Sequence, residues 1–189
     1  MRIIGGKLKG HTINIPTDKN TRPLKDIARE SIFNLLIHSK KISLKLEESI
    51  ILDIYAGTGS FGLECLSRDA QAVYFIENRK SAVEVLKKNI EKLKLTNKTK
   101  IFFNDIFKLI NKKQISKSQF DLIFCDPPFK DTNIKQLINL IFNENLLNKN
   151  GIIVLHRNKN TKEKLPNFFS TIEERSYGIS KIIFGKFLY

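Results

Sequence analysis

Residues 53–62 read DIYAGTGSFG; they close an apolar run, SIILDIY (49–55), and lead into FGLECLSRD. Gly57, Gly59 and Gly62 fall on the G-x-G-x-x-G spacing, which between a strand and a helix marks a nucleoside-binding turn of a parallel α/β sheet. Glycine serves there because the backbone must turn sharply and let a ligand approach with no Cβ in the way. The stretch sets the fold class without choosing the nucleoside.

Outward from it, strands and helices alternate. A short helix, FGLECLSRD, is followed by a strand, AVYFIE (72–77), an amphipathic helix, KSAVEVLKKNIEKLKL, a third strand, TKIFFND, and a fourth, FDLIFCDPPF (120–129). A helix over about 133–147 precedes a fifth strand, GIIVLHRN. The last segment, FFSTIEERSYGISKIIFGKFLY, holds two alternating strands joined near Tyr177-Gly178. Such an order predicts an α/β Rossmann-like fold, a mostly parallel sheet covered on both faces. Ahead of it, RIIGGKLKGHTINIP reads as a short hairpin. TRPLKDIARESIFNLLIHS starts a helix near Pro23, with Leu24, Ala28, Ile32, Leu35 and Leu36 on one face and Arg22, Asp26, Arg29 and Phe33 on another. The expected division is a hairpin extension, residues 1–20, and a main domain, residues 21–189.

The 189 residues suffice for one full core. No apolar run is long enough to span a bilayer, and MRIIGGKLKG has no signal-like stretch, so the cytoplasm is the expected location. Cys65 and Cys125 lie far apart with no His or Cys at ligand spacing, which argues against a metal site or a disulfide. Lys and Arg total 33 against 19 Asp and Glu, a net charge of +14 that suits a polyanionic partner such as nucleic acid. A Lys-, Asn- and Ile-rich composition of the kind AT-rich coding produces yields the same excess, so charge alone decides nothing.

Ligands of parallel sheets bind at the carboxyl ends of the strands. Asp53, Glu77, Asp105 and Asp126 stand at four such ends. A pyrophosphate prefers N–H donors and cations, whereas a sulfonium and an ammonium prefer carboxylates; the acidic rim therefore points to S-adenosylmethionine rather than to a dinucleotide. Glu77 is placed to accept ribose hydroxyls, as it would for either ligand. Asp105 is placed to accept from the adenine amine, with capping of the next helix as its alternative. Phe61, Asn78 and Ile106 are candidates to flank the purine.

The fourth strand ends in Asp126-Pro127-Pro128-Phe129. Two prolines stop the strand ladder and stiffen the corner. Such a corner can present the Asp126 carboxylate and the Pro127 carbonyl as two acceptors for one amino group, with Phe129 as the face on which a base stacks. Cys125, next to the corner, alternates to the opposite face and reads as structural. His11, His38 and His156 have no partners at recognisable spacing and read as incidental. Arg22 and Arg29 either pair with Asp26 and Glu30 on their own helix or face the ligand.

The succession RIIGGK, TRP with ARESIFN, DIYAGTGSFGLECLSR, VYFIE, FDLIFCDPPF and the late YG hairpin resembles the RsmD family of bacterial 16S rRNA guanine-N2-methyltransferases over nearly the whole chain. The resemblance implies a class I methyltransferase fold with a seven-stranded sheet and an antiparallel C-terminal strand. It also implies S-adenosylmethionine as donor and a guanine of 16S rRNA, within a small-subunit particle, as target. Carried over to this sequence, Asp53, Tyr55, Ala56, Gly57, Thr58, Gly59, Phe61, Glu77, Asn78, Asn104, Asp105 and Ile106 surround the cofactor, and Asp126 to Phe129 hold the target amine. Where Phe129 stands the family commonly has Tyr, so the stacking face is kept and the hydroxyl lost. Arg2, Lys7, Lys9, His11, Arg22 and Arg29 are the expected RNA contacts, and a monomer without metal is expected. The alternative is a DNA adenine-N6 methyltransferase, which shares the DPPF box; no separate target-recognition domain is visible for it. A nucleic-acid-binding module that has lost catalysis would show an eroded box or glycine turn, and neither is eroded.

Overall fold

Alternation along the strands divides the apolar side chains between the two faces of one sheet. Ile51, Val73, Phe75, Leu122, Phe124, Ile152 and Val154 pack on one side with the helices over 26–38, 60–67 and 80–92; Leu52, Ile54, Ile76, Ile123, Cys125, Ile153 and Leu155 pack on the other with those over 106–111 and 134–143. The computed structural model describes residues 1–16, 26–42, 44–111, 115, 119–161 and 164–189. In chain order the elements are α1 (Asp26–His38), β1 (Ile50–Ile54), α2 (Ser60–Ser67), β2 (Ala72–Glu77), α3 (Lys80–Lys92), β3 (Thr99–Phe103) and α4 (Ile106–Asn111). They continue with β4 (Phe120–Cys125), α5 (Ile134–Asn143), β5 (Leu147–Asn158), β6 (Phe169–Tyr177) and β7 (Ser180–Phe187).

The seven strands form one sheet in the order β3-β2-β1-β4-β5-β7-β6. β1 to β5 run parallel, and β7 runs antiparallel to both its neighbours, β5 and β6. This is the mostly parallel α/β sheet that the element order predicts, in the seven-stranded form with an antiparallel C-terminal strand that the resemblance implies. The order reverses between β1 and β4, and the crevice at such a switch point is where ligands of open sheets bind. The fifth strand is longer than expected, beginning at Leu147, because a register shift between Phe120 and Leu122 absorbs the polar start of β5.

The opening segment pairs as strand only at Arg2 and Thr12. Side chains of α2 take up the hydrogen bonds that a ladder would have made. Glu64 accepts the amides of Ile4 (2.8 Å) and Gly5 (2.7 Å), and Ser67 accepts the Leu8 amide at 2.9 Å. Gly6, at φ 72°, lies so close to the Ser67 carbonyl that a Cβ there would sit 1.9 Å from its oxygen. Ile3 and Ile13 are buried in the core, so residues 1–16 pack against the main domain rather than projecting from it.

Candidate functional site

β1 delivers the chain to the crevice at Asp53. Its side chain faces α2, and Oδ2 accepts the Gly62 amide at 3.0 Å, so this donor at the helix start is already taken. Burial pushes the Asp53 carboxyl well above its ordinary range; the Gly62 N–H opposes this, while Asp126 and Glu77 add to it. The chain then reverses through three left-handed residues, Tyr55 (φ 64°), Gly57 (φ 56°) and Gly59 (φ 81°). A Cβ at Gly57 would meet only Arg79, at 3.9 Å, so backbone conformation is the demand there. One at Gly59 would stand 2.4 Å from Leu86, and one at Gly62 2.4 Å from the Phe75 ring; these two let α2 pack closely.

β2 ends in Glu77, which closes the turn from the other side. Oε2 accepts the Gly57 amide at 2.8 Å, and Oε1 accepts the amides of Asn78 (3.0 Å) and Arg79 (2.9 Å). After β3, Asp105 Oδ1 accepts the Phe107 amide at 2.9 Å, so the capping alternative is realised while the residue still lines the crevice. Asp53, Glu77, Asp105, Asp126 and Asp131 surround a cleft of about 600 Å³ together with Tyr55, Ala56, Gly57, Thr58 and Asn78. Among the described residues lining it, Arg79 is the one permanent cation, and its Nε lies 3.2 Å from Glu77. An overall charge of +14 thus surrounds an acidic cleft.

β4 brings Asp126 to the same rim. Its amide still bonds the Ile54 carbonyl (3.4 Å), after which the prolines end the ladder. The parallel register Cys125↔Leu155 sets the next pair, Asp126 and His156, side by side on one face. His156 Nδ1 lies 2.7 Å from Asp126 Oδ1, and the Phe129 ring stands edge-on to the imidazole with centroids 5.4 Å apart. Arg157, on the opposite face of β5 and fully buried, donates to the Asp131 carbonyl (2.6 Å) and the Pro128 carbonyl (3.5 Å). Consecutive side chains of β5 therefore brace the DPPF corner from both faces. Burial pushes the Cys125 thiol up, as suits a structural side chain.

Several sequence expectations are corrected. Phe61 lines the cleft but is buried between Phe33 (5.2 Å) and Phe124 (3.9 Å), so both faces of its ring are covered and neither is free for a purine. Ile106 turns into the core around α4; Phe107, its neighbour, lines the cleft instead. Asn104 is spent on the Asp105 amide at 2.9 Å and lies outside the lining. Arg29 is fully buried, bonded to the Arg2 carbonyl (2.6 Å) and Asp26 (3.0 Å), with Glu64 3.9 Å away, and so cannot reach RNA. Its burial, together with that of Phe33, means that both faces of α1 are packed at these positions. His156, read as incidental, partners the central carboxylate. No short motif announces His156 or Arg157; only their place at the end of the strand paired with β4 does. Arg22, and the helix start read at Pro23 and Leu24, lie outside the described residues.

Arg2, Lys7, Lys9 and His11 are exposed on the N-terminal segment. Lys7 pairs with Asp69 (2.6 Å) beyond the far end of α2, roughly 12 Å along the helix from the glycine turn, and His11 Nδ1 lies 3.0 Å from the Leu8 carbonyl. Among the described residues no group of three His, Cys, Asp or Glu could hold a metal ion, and no helix is long and apolar enough to cross a membrane.

Residues 1–186 match the family model described as conserved hypothetical protein 95. The ribosomal RNA small subunit methyltransferase D of Buchnera aphidicola subsp. Baizongia pistaciae is 39% identical over 165 residues, 87% of this chain and 79% of the relative. The protein of the same name from Haemophilus influenzae is 31% identical over 179 residues, 95% of this chain and 90% of its own. The solved structure of yhhF from Escherichia coli superposes with a TM-score of 0.84 at 26% identity, covering 99% of this chain and 97% of that one.

Proposed function

From the premise that the chain belongs to the conserved hypothetical protein 95 family, the RsmD family, we propose that it methylates N2 of a guanine in 16S rRNA with S-adenosylmethionine as donor. One observation carries this reading: the DPPF corner opens onto the same cleft as Gly57, Glu77 and Asp105.

The cleft's own chemistry fits this cofactor better than a dinucleotide. Five carboxylates line it against one arginine, itself beside Glu77, and Glu77 and Asp53 already take the Gly57 and Gly62 amides, so acceptors outnumber the donors and cations a pyrophosphate needs. Bound there, S-adenosylmethionine supplies an electrophilic methyl group on a cationic sulfur. Asp53 and the turn from Tyr55 to Gly59 hold the amino-acid end, Glu77 the ribose, and Asp105 the adenine, with Asn78 and Phe107 beside it. Asp126 and the Pro127 carbonyl accept the two hydrogens of the guanine amine, which fixes its lone pair toward the donor, and Phe129 stacks on the base. Alignment of this kind contributes about 7–11 kcal/mol in favourable systems. Asp126 stabilises the charge that develops on the nitrogen and takes the proton it sheds. Arg2, Lys9 and His11 contact the phosphate backbone outside the cleft.

The test is to incubate the protein with labelled donor and small ribosomal subunits lacking the modification, and to map the labelled base. Label on guanine N2 supports the reading; label on adenine, or on DNA alone, overturns it.

A further inference from the structure

Asp126 is the residue on which the proposed chemistry turns, yet a single carboxylate on a loop has two equivalent oxygens and a free torsion. The structure removes that freedom. Oδ1 is engaged by His156 Nδ1 at 2.7 Å, and the imidazole is itself clamped: it is 5% exposed, lies in the middle of the β4-β5-β7 region opposite Ile182, and has the Phe129 ring against it. A carboxylate only accepts, so Nδ1 must be the nitrogen that carries the hydrogen. The remaining nitrogen, Nε2, is buried with no hydrogen-bond partner. An orphaned buried nitrogen is costly, and it is tolerated where the other ring nitrogen makes a strong bond to a charged group.

We propose that His156 is the positioning residue for Asp126: its Nδ1–H holds Oδ1, so Oδ2 alone faces the substrate amine. The proposal rests on the reading of Asp126 as the amine's acceptor. Arg157 complements it from below by fixing the backbone of the same corner through the Pro128 and Asp131 carbonyls, so side chain and main chain are set independently by neighbouring residues of one strand. A residue with this role acts on turnover and leaves cofactor binding alone, because the partners of His156 are Asp126 and Phe129 of the DPPF corner, whereas Glu77 is bonded to the glycine turn.

Three forms test it: the wild type, His156→Phe, which keeps an apolar ring without a donor, and His156→Asn, whose side-chain amide restores a donor near the Nδ1 position. With RNA as substrate, His156→Phe should lower kcat roughly 10- to 100-fold while the Kd for S-adenosylmethionine stays within about twofold, and His156→Asn should recover most of kcat. Equal kcat in His156→Phe and wild type, or no recovery in His156→Asn, overturns the proposal. Nitrogen-15 shifts of the histidines in the free protein give a second readout that needs no RNA. Hydrogen on Nδ1 of His156, with shifts that move in Asp126→Asn, supports the pairing; hydrogen absent from Nδ1, or shifts indifferent to Asp126→Asn, overturns it. An inactive wild type whose shifts show the pairing fails the functional reading alone, whereas an active wild type matched by His156→Phe fails the positioning role alone.

Discussion

Glu77 Oε2 accepts the Gly57 amide at 2.8 Å, so the acid at the end of β2 holds the glycine turn of β1 in shape before any ligand arrives. The same carboxylate takes the Asn78 and Arg79 amides, which makes it both scaffold and ribose acceptor. Glu77→Gln places an NH2 donor among those N–H donors. S-adenosylmethionine affinity should fall about tenfold or more and stability by about 1–3 kcal/mol, read by calorimetric titration and urea unfolding. Unchanged affinity would remove Glu77 from the site.

Asp53 predicts a pH dependence. Its pKa is higher in the folded protein than the ordinary 3.8, so the folded state holds the proton more tightly than the unfolded chain does. The stability this confers is complete below about pH 3.8 and is lost as pH rises through the raised value. Asp53→Asn keeps an acceptor for the Gly62 amide and carries no charge, so urea unfolding of the free variant should lack that decline. Parallel pH profiles for variant and wild type would show that Asp53 is not held up by burial.

The glycines separate by cause. Gly57→Ala has open space and meets only the left-handed backbone, a cost of about 1–2 kcal/mol. Gly59→Ala adds an overlap with Leu86 and should cost a further 1–3 kcal/mol or so. Equal losses in chemical denaturation would contradict the packing assigned to Gly59.

Arg29→Met should cost about 1–3 kcal/mol, because it leaves the Arg2 carbonyl without its donor and loosens the N-terminal segment from α1, while Glu64 keeps Arg68 at 3.0 Å and the Ile4 and Gly5 amides. RNA affinity of the folded fraction should not change. A loss of affinity without a loss of stability would return Arg29 to the RNA surface.

For the segment itself, Arg2→Ala and Lys9→Ala should each reduce the slope of log affinity against log salt by about 0.7–0.9 on RNA. Lys7, already paired with Asp69 at the far end of α2, should contribute less. Equal effects of all three would mean that the segment meets RNA along its whole length.

The sequence by itself determined the order of strands and helices, the glycine turn and the four strand-end acids. Each of these is local: a period of two or 3.6, a turn needing left-handed backbone, a carboxylate at a fixed offset from an apolar run. What only the tertiary structure decided was who stands beside whom. His156 is thirty residues from Asp126 in the chain, and strand register alone joins them. Whether Arg29 and Phe61 face solvent, ligand or core depends on which elements cover α1 and α2, and those covers are Glu64, the N-terminal segment and Phe124. Periodicity along one element shows which side chains share a face; it carries no information about what packs against that face, because that is set by contacts distant in sequence.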